Sequence, residues 1–560
     1  MRDWMPILRW LPEYQWSWLS RDLIAGATVW AVLVPLGLAY AGIVGVNPVV
    51  GLYTLPLALL AYAVFGGSRL LAVGPDAAVA VLSGSIVAAY ALGDEVLAMT
   101  IAMALIVGVI YVLFFFLKLG WIADLLPDPV LKGFIEGVVW VTILKQLPAL
   151  LGLELAGAPK GFIPQVVVVA QALPQVHVPT AVAGVASVIA LIIIRRFTPR
   201  LPGPLIVLVA SIALIGLLEL DQGGIAVLGQ VAGGLSALGL PSGLDSRQII
   251  SLLPGALAIV VLGYTKSMGA LKRAAEHSGE QIDPDRELLA IGASNIGAGL
   301  GGGYAVAGSL TATAVGINSG GKSQIGNLFA GILSLLTILF LLPLFASLPY
   351  FCLAAIVLVA IGGLSDLAYF RRLWAIQRYE VAIGMVTFFG VLAFDVSTGV
   401  TIGVVMALFT LAHHIHDPTT AVVGRTRSGG FVDIDDHPDA EEIPGMLIWH
   451  QYAPLVFLNA RILSNKLRRL ALGRKDIRVV LLDATASSGI DSSAVSAFIA
   501  ASNDLAAEGI ALWVSNVRDD SWETVVAAMT AAGAEIPRSF DSATDAIAHY
   551  EQYGVEPAGA

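Results

Sequence analysis

Polar and apolar positions follow two regimes along this chain. From residue 23 to about 412, charged side chains are separated by apolar runs. Most can supply a helix of about 20 residues, the length that crosses a bilayer. Residues 23–68 and 323–365 each hold two such helices, divided at Asn47-Pro48 in the first and near Pro343 and Pro349 in the second. Single spans are predicted at 77–93, 96–117, 178–194, 201–218, 248–265, 288–321, 381–394 and 396–412. Another, at about 127–147, encloses Lys132 and Glu136. From about Gly445 the period changes to β/α alternation, with strands predicted at 446–450, 455–458, 479–483 and 511–514 and helices at 461–472, 492–508, 522–532 and 543–550. The pattern predicts an α-helical polytopic membrane region followed by a small cytoplasmic α/β domain.

Composition narrows the class further. Of 560 residues, 57% are hydrophobic and 13% charged, against about 25% charged in an ordinary globular chain. The first 416 residues carry 41 charged side chains, near 10%, and the last 144 carry 31, near 22%. A disordered chain is excluded, and so is a disulfide scaffold, because Cys352 is the only cysteine. A net charge of −10 argues against nucleic acid as a partner. The expected plan is an interfacial segment at 1–20, a membrane domain at 21–416, a linker at 417–444 and a soluble domain at 445–556. Trp4, Trp10, Trp16 and Trp18, with Arg2, Arg9 and Arg21, give the opening segment its interfacial character. No cleavable signal peptide is expected ahead of it.

The loops sort by sign. Arg69, Lys118, Arg195/Arg196/Arg200, Lys272/Arg273, Lys322 and Arg371/Arg372/Arg378 fall on alternate loops, and Asp94/Glu95, Glu219/Asp221 and Asp395 on the others. Lys160 and Arg247 are exceptions. The positive-inside rule then places both termini in the cytoplasm and requires an even number of spans, about 14.

Two segments are too short and too glycine-rich for full crossings. One is Ala72-Val73-Gly74-Pro75-Asp76-Ala77-Ala78, where Pro75 reads as the first residue of a half-helix. The other is Gly301-Gly302-Gly303-Tyr304, continuing to Gly308-Ser309-Leu310-Thr311-Ala312-Thr313. Each follows, about 40 residues on, an apolar span with an expected irregularity, at Val34-Pro35-Leu36 and at Gly263-Tyr264-Thr265-Lys266. A spacing of about 230 residues between the two sets suits two repeats of about seven spans. Half-helices meeting N-terminus to N-terminus aim unpaired N–H groups and positive dipole ends at one spot, which suits an anion. The alternative is that these glycines and prolines only permit close packing.

Intramembrane charge points to the same place. Lys266 lies beside the second irregularity and is costly there unless it faces a cavity or a partner, and Asp76 is the expected partner. The alternative is that Lys266 snorkels toward Lys272 and Arg273. Lys132 and Glu136, spaced i, i+4, are expected to pair with each other.

Several tempting motifs lack their context. Gly316–Ser323 matches a phosphate loop letter for letter, and 297–302 a dinucleotide fingerprint, but neither sits in a strand–helix unit. His413, His414 and His416 read as an interfacial cap rather than a metal site. No nucleophile–base arrangement is legible, so neither an enzyme nor a cofactor or metal is expected. In the tail, the loop 483–493 joins a strand end to a helix start. Asp491, Ser492 and Ser493 there read as helix caps, or as a regulatory site for phosphate or a docking partner.

Taken together, these residues resemble the sulfate permease (SulP) family, relatives of the solute carrier 26 anion transporters. The resemblance runs from Asp22-Leu23-Ile24-Ala25-Gly26 and Pro35-Leu36-Gly37-Leu38-Ala39-Tyr40 through Gly51-Leu52-Tyr53, Gly74-Pro75 and Gly133-Phe134. It continues with Glu287-Leu288-Leu289-Ala290, Asn295, Gly308–Val315 and Gly321-Lys322-Ser323-Gln324, and ends in a tail similar to a STAS domain at 453–460 and Asp491-Ser492-Ser493. It implies a 7+7 inverted repeat with two half-helices, an elevator-like motion, a homodimer in the cell membrane, and a small anion as substrate. Sulfate comes first, with bicarbonate, dicarboxylates or an uncoupled anion channel as alternatives. A co-transported cation or exchanged anion would drive it. Carried over by position, the anion site includes Leu36, Tyr40, Asp76, Leu310 and Thr311, with backbone N–H groups of both half-helices; Gly74, Pro75, Ala77 and Ser309 complete the candidate site.

Three positions depart from the family pattern. Leu36 stands where many members have Gln, Lys266 where many have a carboxylate, and Ala312 where many have Arg. Lys266 is therefore expected to supply the positive charge that Ala312 lacks, and joins the candidate site.

Overall fold

Backbone N–H and C=O groups in hydrocarbon must be satisfied within the chain, and helices do this segment by segment. The computed structural model describes residues 5–91, 93, 95–124, 127–155, 161–198, 201–229, 241, 243–394, 396–427, 430–485 and 489–555. The charges at Asp94, Lys160, Arg200 and Asp395, and loop residues Ala486, Ser487 and Ser488, lie outside these residues. The chain divides into two compact units, 1–407 and 408–560.

In the first half of the membrane region, α1 (Leu19–Val44) is followed by a turn at Val50–Tyr53 and by α2 (Leu55–Phe65). Strand β1 (Val73–Gly74), α3 (Ala77–Tyr90), α4 (Glu95–Phe116), α5 (Asp128–Leu151), α6 (Val178–Phe197) and α7 (Gly203–Leu218) complete this half. The second half contains α8 (Ser246–Ser278), α9 (Pro284–Leu300), β2 (Ala307–Gly308), α10 (Leu310–Asn318), α11 (Ile325–Leu336), α12 (Tyr350–Gly362), α13 (Arg378–Ala393) and α14 (Val396–His416). Among the described residues, seven helical stretches are long and apolar enough to cross a membrane, and five shorter apolar helices accompany them.

The packing of the two halves corresponds. Helix α1 packs on α11 as α4 packs on α8, and α2 on α11 as α9 on α4. Likewise α3 packs on α8 as α10 does on α1. Close approach needs glycine at chosen points. A Cβ on Gly51 would lie 2.0 Å from the Gly37 carbonyl oxygen, and one on Gly133 2.1 Å from that of Gly384.

Several expectations are corrected here. Pro35 sits inside an unbroken α1, and 263–266 inside an unbroken α8. Extended backbone interrupts the membrane region before α3 and α10, and after α11 the helix passes into a π-helical turn, Thr337–Leu341, and a 3-10 stretch, Leu342–Ser347. Lys132 and Glu136 do not pair. Lys132 Nζ is 3.1 Å from Asp366 Oδ2, while Glu136 accepts from Ser365 Oγ and the Asp366 N–H. A spacing of i, i+4 permits a contact worth only a few tenths of a kcal/mol, which a helix start with its own N–H groups to satisfy outbids. Two further helices, Phe162–Ala172 and Leu367–Ile376, fall between the expected spans.

Asp366 also accepts the Tyr369 N–H, capping the helix Leu367–Ile376. Asp366→Ala removes both this cap and the Lys132 contact, and is expected to lower the unfolding midpoint. Thermal unfolding in detergent measures it, and an unshifted midpoint would show the cap to be idle.

The second unit holds a six-stranded sheet in the order β4-β3-β5-β6-β7-β8. Its strands are β3 (Thr420–Arg425), β4 (Phe431–Asp433), β5 (Met446–Gln451), β6 (Val479–Asp483), β7 (Ala511–Ser515) and β8 (Arg538–Phe540). Strands β5 to β8 run parallel, while β3 is antiparallel to both neighbours. Segment 417–444, read from sequence as a linker, therefore contributes two strands. Helices α15 (Ala460–Leu472), α16 (Ser492–Ala507), α17 (Asp519–Ala532) and α18 (Ala543–Tyr553) cover the faces. Alternation along β5 and β6 sends Leu447, Trp449, Val480 and Leu482 into one core. It sends Met446, Ile448, Val479 and Leu481 into the other. The strand expected at 455–458 is absent: this stretch turns into α15, with Asn459 Oδ1 accepting the Val456 N–H.

Candidate functional site

The two extended stretches meet. β1 pairs antiparallel with β2, Val73 opposite Gly308 and Gly74 opposite Ala307, so the starts of α3 and α10 lie side by side. Side chains satisfy the remaining backbone of this crossing. Asn295 Oδ1 accepts the Val306 N–H at 2.9 Å and its Nδ2 donates to the Val306 carbonyl at 3.0 Å. Ser267 Oγ accepts the Gly308 N–H at 2.7 Å, and Thr313 Oγ1 the Ala72 N–H at 3.0 Å. Tyr304 donates its hydroxyl to the Gly37 carbonyl, while its N–H donates to Thr54 Oγ1. Gly302 starts the unwound stretch at φ +81°, where a side chain is strained.

Each half-helix then receives a cap. Asp76, not Pro75, is the N-cap of α3, its Oδ1 accepting from the N–H groups of Ala78 and Val79. Pro75 lies one residue earlier because its fixed φ suits the extended approach as well as a first helical turn. Ser309 caps α10 through the Ala312 N–H. The N–H groups of Leu310 and Thr311 belong to the first turn and have no intrahelical acceptor. Both residues are exposed, unlike their buried neighbours Ser309 and Ala312.

Lys266 reaches this point from α8. Its Nζ lies 2.7 and 2.6 Å from the two Asp76 carboxylate oxygens, and each side chain is only 14% exposed. Snorkelling to the surface is thereby ruled out for this conformation. Asp76 is thus the partner expected for Lys266, and it neutralises the lysine charge. Tyr40 and Tyr304 lie within electrostatic reach of the Asp76 carboxylate. Leu36 is buried on α1 beside Gly37, which faces the Pro75 ring. Gly74, Pro75 and Ala77 are buried in the crossing itself. Ser267, Asn295, Tyr304 and Thr313 were not among the expected site residues. Their signal was that Asn295, Tyr304 and Thr313 are polar side chains in an otherwise charge-free apolar run, and that Ser267 adjoins Lys266.

The phosphate-loop match has no phosphate-loop geometry. Asp22 Oδ1 accepts the N–H groups of Lys322 and Ser323, tying the α10–α11 turn to the start of α1. Among the described residues no group of three or more His, Cys, Asp or Glu side chains could hold a metal ion.

In the soluble unit, Asp491 caps α16 through the Ala494 N–H and also accepts the Phe457 N–H. Ser492 and Ser493 are both exposed. At the end of β6, Asp483 lies 2.7 Å from His450 Nδ1 and accepts from Thr485 and Asn516. Burial pushes the Asp483 carboxyl up, but hydrogen bonds from Thr485, Asn516 and His450 outweigh it and hold it below its ordinary value of 3.8. Such a group stabilises the fold above its unfolded pKa and loses that contribution as pH falls through the lower folded value. Asp483→Asn is expected to weaken hydrogen-exchange protection of the β6 amides at pH 7. The gap to the wild type should close once the pH falls well below 3.8; a gap independent of pH would refute the assignment.

Comparison with known proteins places this geometry. The model of the sulfate permease family matches residues 19–387, and that of the STAS domain residues 437–542. A probable sulfate transporter of Mycobacterium tuberculosis (strain CDC 1551 / Oshkosh) is 33% identical over 535 residues, covering 94% of each chain. The chloroplastic sulfate transporter 4.1 of Arabidopsis thaliana is 29% identical over 551 residues, 93% of this chain and 79% of that one. The fold matches the murine solute carrier 26 family member A9 anion transporter in its inward-facing state. That match has a TM-score of 0.91 at 20% identity and covers 98% of this chain and 94% of the other. The transmembrane domain of a cyanobacterial bicarbonate transporter, BicA, matches with a TM-score of 0.59 at 24% identity, over 70% and 98% of the two chains. The family is one of transporters rather than enzymes. This chain is a multi-pass membrane protein belonging to the sulfate permease family, with a C-terminal STAS domain.

Proposed function

We propose that the protein is a secondary active transporter carrying a small inorganic anion, sulfate first, across the cytoplasmic membrane by elevator-like alternating access. One observation carries this reading: the starts of two half-helices from opposite halves of the chain are held side by side by β1 and β2, with a partly buried lysine at the same point. First-turn N–H groups and the positive ends of α3 and α10 suit an anion there. The proposed site comprises Leu36, Tyr40, Gly74, Pro75, Asp76, Ala77, Lys266, Ser309, Leu310 and Thr311. The corresponding packing of the two halves supports an inverted repeat, and alternate loop charges support cytoplasmic termini. A homodimer is proposed from the family. Asp491, Ser492 and Ser493 are proposed as the regulatory face of the STAS domain.

Sulfate is favoured by the names of the similar curated proteins. Bicarbonate is the second reading, because a bicarbonate transporter shares the fold; dicarboxylates follow from the family. The test is uptake of labelled sulfate, bicarbonate and a dicarboxylate into proteoliposomes, with and without a pH or sodium gradient. Saturable sulfate uptake with counterflow is expected. Conductance without counterflow would replace the carrier with a channel, and saturable uptake of bicarbonate alone would reassign the substrate.

A further inference from the structure

We propose that Asp76 is an internal stand-in for the transported anion. It holds Lys266 while the site is empty, yields it to an arriving anion, and so lets the empty carrier reorient. This rests on the transport reading above and deepens it by naming the residue that decides between net transport and obligatory exchange.

The geometry suits a partner that can be displaced. Both Asp76 oxygens face Lys266 Nζ, while Oδ1 also accepts from the Ala78 and Val79 N–H groups at the start of α3. When an anion takes the ammonium group, the carboxylate keeps these two donors and the positive end of the half-helix. Lys266 has no such second anchor in the crossing: its neighbour Ser267 is engaged with Gly263 and Gly308.

The charge inventory around the pair sharpens the point. Helix α10 carries no charged side chain. Those of α1, Arg21 and Asp22, lie about 27 Å along the helix from Tyr40. On α8 the nearest other charge is Lys272, about 9 Å further along the helix. The empty site is therefore electrically neutral only because Asp76 balances Lys266. A carrier whose empty site held an uncompensated lysine would have to carry that charge through apolar surroundings, at high cost. It would return only with an anion bound, which makes it an exchanger.

Asp76→Asn separates the two roles, since asparagine caps helices as well as aspartate does. Proteoliposomes holding wild-type or variant protein are compared for net uptake of labelled sulfate into sulfate-free vesicles and for exchange against internal sulfate. In the variant the ratio of exchange to net uptake should rise at least about tenfold, with half-saturation at lower sulfate. An unchanged ratio overturns the proposal. Asp76→Ser, also a good cap, is measured in parallel in case the asparagine variant does not yield monodisperse protein. Purified variant protein should also melt below the wild type without anion and recover on adding sulfate; no recovery would count equally against it. A wild-type chain that neither takes up nor exchanges sulfate, bicarbonate or a dicarboxylate removes the transport reading, and this inference with it. Wild-type transport with an unchanged variant ratio removes the role of Asp76 alone.

Discussion

Lys266→Gln is expected to lower anion affinity at least about 100-fold, equivalent to ~2.7 kcal/mol. Two effects add. The substitution removes the cation that lies at the half-helix starts, 2.6 Å from Asp76. It also leaves the Asp76 carboxylate unpaired beside the site, where it repels the substrate. Removing one partner of a buried ion pair typically costs about 3–5 kcal/mol of stability. Here the lower end is expected, because Asp76 keeps the Ala78 and Val79 N–H groups. The double variant Asp76→Asn/Lys266→Gln should regain most of that stability without regaining affinity. Stability is followed by thermal unfolding and affinity by sulfate-dependent protection of the purified protein. Unchanged affinity in the single variant would remove Lys266 from the site.

Asn295→Leu is expected to be the most damaging substitution near the crossing that touches no charge. Leucine keeps the branched arrangement of side-chain heavy atoms, so shape is roughly preserved and the main loss is polar. Val306 would have both its N–H and C=O left without the Asn295 amide, in a position 1% exposed. At about 1–3 kcal/mol for each buried unsatisfied group, the cost is about 2–6 kcal/mol. The predicted result is a large fall in the yield of monodisperse protein and in the melting midpoint. Asn295→Asp keeps the acceptor for the Val306 N–H and should fall between the two. A wild-type melting midpoint in Asn295→Leu would mean that β1–β2 pairing and the Ser267, Thr313 and Thr54 contacts hold the extended stretch without Asn295.

Both predictions depend on contacts that are unevenly legible in the sequence. The break before α3 was marked by Gly74-Pro75, and the break before α10 by three consecutive glycines, because few other residues tolerate unwound backbone at close quarters. Asp76 and Lys266 stood out because charge is rare in an apolar run, and a buried charge seeks one of opposite sign. The Asn295 bridge could not be read the same way: an amide in a helix has many potential partners, and which backbone groups it meets depends on where the chain returns. Lys132 shows the reverse failure. Its i, i+4 neighbour was close in sequence, yet Asp366, 234 residues on, takes it.

The amino-acid sequence by itself determined most of the apolar helical segments, the change to an α/β tail, and the few charged or glycine-rich positions that meet at the half-helix starts. These are local properties: the cost of placing charge in hydrocarbon and the backbone freedom of a residue do not depend on distant contacts. Tertiary structure alone decided that β1 and β2 pair, that α1 and α8 run unbroken, and that Asp76, besides pairing with Lys266, caps α3. It likewise decided that segment 417–444 adds two strands to the sheet. Each of these is a choice among partners far apart in the chain, and it is settled by which buried polar groups can be satisfied together once the helices are packed.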